Sequence, residues 1–243
     1  MKKILLTFYI FIFLYMQSFA MPFDDFNKYY TSNDLLEPFV KDFGGVIGAS
    51  DSNTAKKLSV FGLDLGFDLA VQNRPSSDNK ILINSDVDGF GVPRVHMDFG
   101  LPVANLDVSV RGFSYSNLKV IGGGLKYSLF KTTTQVNLMP DISPMAYYDI
   151  ISYDYFTGYH ISVDVVASWN LPNIKPYISF GYDNTSLKVR NIGYGFDGNK
   201  ASSSGLRGAA GIRFSPVPLV YIYGGYNIIN GEGGYNFGFG MEI

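Results

Sequence analysis

The chain has no cysteine among its 243 residues, so neither a disulfide nor a lipid-modified cysteine can form. Histidine is scarce as well. With only two His and no Cys, a structural metal site of the usual kind lacks its ligands. Charged residues make up just 16% of the sequence and nearly balance in sign. The chain is no polycation, which excludes nucleic acid as an expected partner. Long apolar runs are also missing, apart from Ile4 to Met16 near the start. That run is shorter than the roughly 20 residues a membrane-spanning helix requires. Preceded by Lys2 and Lys3 and followed by Ser18-Phe19-Ala20, it reads as a secretory signal peptide over residues 1–20, removed after Ala20. Its removal leaves 17 of the 19 basic residues against 21 acidic ones and a net charge near −4. Export without cysteine is compatible with a Gram-negative envelope.

What is abundant is aromatic side chains, at 16%, and glycine, at 27 residues, the composition of a strand-rich, turn-rich chain. The last ten residues organise the rest. Tyr235, Phe237, Phe239, Met241 and Ile243 alternate with Asn236, Gly238, Gly240 and Glu242, the period of a strand with different solvents on its two faces. Nothing remains in the chain to cover the apolar face. A lipid bilayer outside and a polar lumen inside satisfy such a strand.

The same pattern recurs upstream. Phe61, Leu63, Leu65, Phe67, Leu69 and Val71 oppose Gly62, Asp64, Gly66 and Asp68. A face carrying two aspartates cannot look at lipid. Val95, Met97 and Phe99 likewise oppose Arg94, His96 and Asp98, and Val108 and Val110 oppose Asp107 and Arg111. Leu125 and Tyr127 oppose Lys126, Ile161, Val163 and Val165 oppose His160 and Asp164, and Ile212 and Phe214 oppose Arg207 and Arg213. With Asp183 and Glu242 these charged residues form the expected lumen lining. Tyr127, Tyr159, Trp169, Tyr235 and Phe237 are expected at the membrane interfaces. The sum predicts an all-β protein, a transmembrane antiparallel β-barrel of about ten strands, with eight to twelve open, over residues 58–243.

Residues 21–57 form a separate piece, a short helix and a linker that serves as a plug, a periplasmic lid or a loosely docked leader. Leu36, Phe39, Val40 and Phe43 have helical spacing, Pro38 places the start or a bend of the helix, and Gly44-Gly45 reads as its stop. Asp51 to Lys57 reads as polar linker. Asn73 to Gly89, with a strand end at Ile81 to Ile83, and Asn184 to Ser204 read as long loops. Met145 to Ser152 is a less regular strand. An even strand number puts both ends of the barrel on the periplasmic side, with the long loops outside; the extended link from Lys131 to Pro144 does not fit this asymmetry.

Asn236, Gly238, Met241 and Ile243 resemble the C-terminal assembly signal of bacterial outer-membrane barrels, although most of that family ends in Phe or Trp. The resemblance implies an outer-membrane location in a Gram-negative-type bacterium, with membrane lipid and the barrel assembly machinery as partners. Leu36-Glu37-Pro38-Phe39-Val40, Thr54-Ala55-Lys56 and Gly123-Gly124-Leu125-Lys126-Tyr127 are similar to the start and middle of an uncharacterised group of exported barrel-type proteins. That group carries no catalytic or binding residues to transfer.

For function this leaves a narrow pore for small solutes or a structural and surface-contact barrel, with no catalytic residues and no cofactor expected. The alternatives are a barrel-embedded hydrolase and a secreted soluble β-sandwich binding module. The hydrolase would use His96 and Asp98, or His160 and Asp164, together with rim acids such as Asp86 and Asp88. The register also predicts that arginine at Leu65 or Phe239 impairs assembly more than arginine at Gly66 or Gly240.

Overall fold

A computed structural model of the chain describes residues 23–103, 105–129, 139–193 and 195–243. The expected signal peptide lies outside them, as does most of the link from Lys131 to Pro144.

The alternating segments become ten strands: β1 (Leu63–Gln72), β2 (Phe90–Gly100), β3 (Leu106–Tyr115), β4 (Leu118–Tyr127), β5 (Asp141–Ser152), β6 (Phe156–Ser168), β7 (Ile174–Val189), β8 (Lys200–Val217), β9 (Val220–Ile229) and β10 (Glu232–Glu242). Each pairs antiparallel with the next, and β10 pairs with β1 from Asp64↔Glu242 to Gln72↔Gly234, so the sheet closes on itself. Closure extends to the last residue, where Leu63 and Ile243 exchange backbone hydrogen bonds of 2.9 and 2.7 Å. Two of the connections are two-residue turns with positive φ, Ser116-Asn117 and Asn230-Gly231, whose twist matches that of the flanking strands.

Several elements differ from the sequence expectation. Most of Asn184 to Ser204 is strand, not loop. Asn184, Thr185 and Ser186 pair with Ser204, Ser203 and Ser202, and the inward Leu187 and Val189 are fully buried. Small hydroxyl residues there hide the alternation. Strand β5 begins at Asp141, earlier than expected. Its inward side holds Met145, Tyr147 and Ile151 as well as Asp149, and its outward side holds Pro144 and Ala146, so the contrast between faces is blurred. Ile81 to Ile83 is helical, within Lys80–Asn84, because the Asn79 side chain accepts from Leu82 N and caps it.

The N-terminal piece lies inside the barrel. Helix α1 (Phe26–Tyr29) and helix α2 (Leu36–Gly48) occupy the end of the bore where β1 joins β2 and β9 joins β10, hereafter the loop end. In α2 every residue from Phe39 to Gly48 except Lys41 is buried, a helix enclosed on all sides. Phe23, Phe26, Phe39, Phe43 and Phe156 stack edge-on at centroid distances of 4.9–5.7 Å. Ile81 and Leu82 of α3 (Lys80–Asn84) cap this core. Asp42 ties α2 to the loop above it, accepting from Ser76 N and Asn79 Nδ2, both at 2.8 Å.

Gly44 and Gly45 do not stop the helix, which runs on through Gly48. They thin it instead. A Cβ at Gly44 would run into Thr185 of β7, and one at Gly48 into Asp183 and Arg207. The glycines let helix and wall approach within backbone contact. Gly48→Leu is therefore expected to lower stability by about 1–3 kcal/mol and to expose the N-terminal segment to protease while the barrel itself resists digestion.

Candidate functional site: the filled bore

Beyond α2 the chain continues down the bore to the end where β1 starts and β10 finishes. Ala55 N donates to Ser168 Oγ at 2.9 Å and Ser143 Oγ donates to Ala55 O at 2.7 Å. Leu58 N donates to Asp107 Oδ2 at 3.2 Å, and Phe61 N to Gly100 O at 2.8 Å. Residues 23–62 thus thread the barrel from one mouth to the other.

At mid-bore sits Asp51, 6% exposed, in the stretch that reads as linker. Arg94 Nη1 of β2 reaches its Oδ1 at 2.7 Å and Arg207 Nη2 of β8 its Oδ2 at 3.1 Å. Arg111 of β3 and the Ser162 hydroxyl of β6 also donate to it. Each arginine has its own wall carboxylate as well. Arg111 grips Asp149 bidentately at 2.8 and 2.6 Å. Arg207 donates to Asp183 at 2.8 Å and to Asp164 at 2.7 Å, and Arg94 lies 3.3 Å from Asp68.

A second cluster occupies the terminal end. Lys126 pairs with Asp107 at 3.0 Å; Arg213 pairs with Glu242 at 2.8 Å and lies 3.5 Å from Asp64. The guanidinium of Arg213 stacks 3.5 Å above the Tyr221 ring, a cation–π contact that steadies it. Lys56 of the threading segment pairs with Glu242.

Every charged residue expected in the lumen lies on the bore side: Asp64, Asp68, Arg94, His96, Asp98, Asp107, Arg111, Lys126, His160, Asp164, Asp183, Arg207, Arg213 and Glu242 are buried or half-buried. They do not line open water. Apart from Asp98, their partners are one another, uncharged side chains of the wall and the threaded segment. Asp51, Asp149 and Asp42 escape a reading based on strand alternation, Asp51 and Asp42 because they belong to no strand. The only sequence signal for Asp51 is a carboxylate close behind a glycine-rich helix.

The hydrolase arrangement is not assembled. Asp86 and Asp88 are exposed at the loop end, whereas His96 and Asp98 lie well down β2 from its start at Phe90, His96 on the order of 20 Å along the strand. His160 is fully buried, with Nδ1 2.8 Å from Thr185 Oγ1. It faces the helix, not a substrate path.

Among the interface aromatics, Tyr127 is exposed and Trp169 half-buried at the terminal end. Tyr159 stacks on Tyr148 at 6.1 Å, and Tyr235 meets Tyr226 at 5.4 Å, toward the loop end. Phe237 stacks on Tyr235 at 6.1 Å on the outer wall. Of the C-terminal motif, Met241 and Ile243 face outward. Asn236 and Gly238 face the bore, where Asn236 Oδ1 accepts from Tyr177 at 3.3 Å and a Cβ at Gly238 would strike the Tyr223 ring. A cavity of about 30 Å³ lies beside Asp51, and an open cleft of about 620 Å³ lies at the terminal mouth near Lys175 and Pro218.

No known protein family and no curated protein matches the sequence. Solved structures do resemble the fold. The attachment invasion locus protein Ail of Yersinia pestis, solved with the heparin analogue sucrose octasulfate, is 14% identical, with 76% of this chain and 100% of that one covered and a TM-score of 0.36. The N-terminal β-barrel domain of Pseudomonas aeruginosa OprF is 13% identical over 76% and 98% of the two chains, with a TM-score of 0.37. The translocator domain of the autotransporter NalP from Neisseria meningitidis is 11% identical over 83% and 94%, also with a TM-score of 0.37.

Proposed function

We propose that this protein is an exported outer-membrane barrel of a Gram-negative-type bacterium, sealed at rest by its own N-terminal segment, with a structural or surface-contact role. The outer wall supports the membrane location. Ile121, Ile150, Phe180 and Ile222 are each 51–60% exposed on it, a continuous apolar surface that water would not tolerate and lipid would. Even strand number and the long β1–β2 connection support an orientation with the termini in the periplasm and the loop end outside; the β4–β5 link, at the terminal end, runs against it. Membrane lipid and, through β10, the assembly machinery are the partners of this reading. No catalytic role belongs to it.

The single observation that carries the sealed state is Asp51 held by three arginines from two sides of the bore. An open pore needs those charges to line water; here they clamp a peptide segment. In a planar bilayer the wild-type protein is expected to pass no steady current. Deletion of residues 23–57 is expected to yield a stable, ohmic conductance. A steady wild-type current at neutral pH and moderate voltage would sink the sealed reading in favour of a constitutive pore. A cold detergent gel, with and without boiling, tests the barrel separately, since a membrane barrel shifts its mobility only on boiling.

A further inference from the structure

Asp64 of β1 and Asp98 of β2 are directly paired across the sheet, both on the bore face. Like charges opposite one another destabilise a sheet unless a cation lies between them. Asp64 has partners, the Tyr221 hydroxyl at 2.7 Å and Arg213 at 3.5 Å. Asp98 has none. Its Oδ1 is shut off from solvent with no hydrogen-bond partner, and no ion pair among the described residues reaches it.

The next inward residue on β2 is His96. Its Nδ1 is held by Asp68 at 2.7 Å, while Nε2 lies 3.3 Å from the Tyr221 hydroxyl and 3.8 Å from Asp64 Oδ1. A histidine fixed by a carboxylate on one nitrogen presents the other to a metal ion. Gly66, paired with His96, leaves room for the ring, since a Cβ there would collide with it. One ligand atom each from Asp64, His96 and Asp98 lies within 4.8 Å of the others. All three border the cavity of about 30 Å³, which has room for a water or an ion. Asp107 borders it too. Its side chain is 2% exposed; Oδ2 pairs with Lys126 at 3.0 Å, and Oδ1 is buried without a hydrogen-bond partner.

We propose that Asp64, His96 and Asp98 bind a divalent cation of the Zn²⁺ or Mn²⁺ kind, through one imidazole nitrogen and two carboxylate oxygens. One nitrogen and two oxygens suit those borderline ions better than Ca²⁺ or Mg²⁺, which prefer all-oxygen shells. Asp68 is the positioning residue. The ion removes the repulsion between β1 and β2 and fastens the wall beside the threaded segment.

The test uses the full chain, folded in detergent, stripped with a chelator and titrated with ZnCl₂ and with MnCl₂ by calorimetry. Saturable uptake of one ion per chain is expected, with a rise in the temperature at which the folded gel band is lost. Asp98→Asn and His96→Gln are each expected to weaken uptake at least tenfold, and Asp68→Asn by about 10- to 100-fold. Asp86→Asn, on the exposed loop, should leave it unchanged. If His96→Gln does not fold, Asp98→Asn carries the test, because loss of one like charge spares the fold. Its metal-free form should be at least as heat-stable as the metal-free wild type, yet gain nothing from Zn²⁺. No saturable uptake of either ion by the folded wild type, or uptake that Asp98→Asn leaves intact, overturns the site.

Discussion

Asp51→Ala is expected to destabilise the folded protein by about 3–5 kcal/mol, the usual consequence of removing one side of a buried ion pair. The geometry explains why the effect belongs at the top of that scale. Arg94, Arg111 and Arg207 all point at one carboxylate, and without it three guanidiniums face each other in a bore from which water is largely excluded. Their remaining partners, Asp68, Asp149, Asp164 and Asp183, sit on the wall and cannot move to the centre. Unfolding by urea or guanidinium, followed by the boiled and unboiled gel bands, measures the loss; Asp78→Ala, on the exposed loop, is the control. Plug release should accompany it, read as protease cleavage within residues 23–57 and as new current in a bilayer. A stability change under 1 kcal/mol would mean that the segment is a passive passenger in the bore.

The barrel was legible because an apolar outer wall and a charged bore impose opposite demands on alternate residues, and a strand such as β1 answers both within ten positions. Strands β2, β6 and β10 do the same. Legibility fails where the inward face stops being polar. At the loop end the bore holds phenylalanines of the plug, so Leu187, Val189, Ile151 and Phe156 point inward, and the contrast between faces disappears. That is why the loop-end parts of β7 and β8, from Asn184 to Ser204, read as loop and β5 as irregular. Helix α2 was visible through its spacing, but its glycines carry two meanings, stop and close approach. Only the wall at Thr185 and Asp183 decides between them. Asp51 shows a deeper limit. No local pattern marks a carboxylate whose partners lie 43, 60 and 156 residues away, since its role is set by three strands that meet only when the sheet closes.

The second large effect belongs to the outer wall. Phe180 stands mid-strand on β7, 59% exposed, paired with Val165 and Gly208 on its neighbours. Arginine there is expected to cost about 2–4 kcal/mol in a bilayer, as cationic residues do at the midplane of a barrel wall, and to reduce the membrane-bound, heat-modifiable fraction. Ser77→Arg, on the exposed loop between β1 and β2, should lie within about 0.5 kcal/mol of wild type. Gly66 and Gly240, the controls that alternation alone suggests, are unsuitable. Both face a packed interior in which the Tyr221 hydroxyl, and at Gly66 also the His96 ring, already occupies the space of a side chain, so arginine would fail there for want of room. A filled bore makes both faces of the wall intolerant, for opposite reasons: the outer one rejects charge and the inner one rejects volume. The discriminating comparison is therefore Phe180→Arg with Phe180→Leu, which changes volume but not polarity. Equal assembly of the two would mean that this wall does not face lipid, and the apolar outer surface would have to be covered by protein instead.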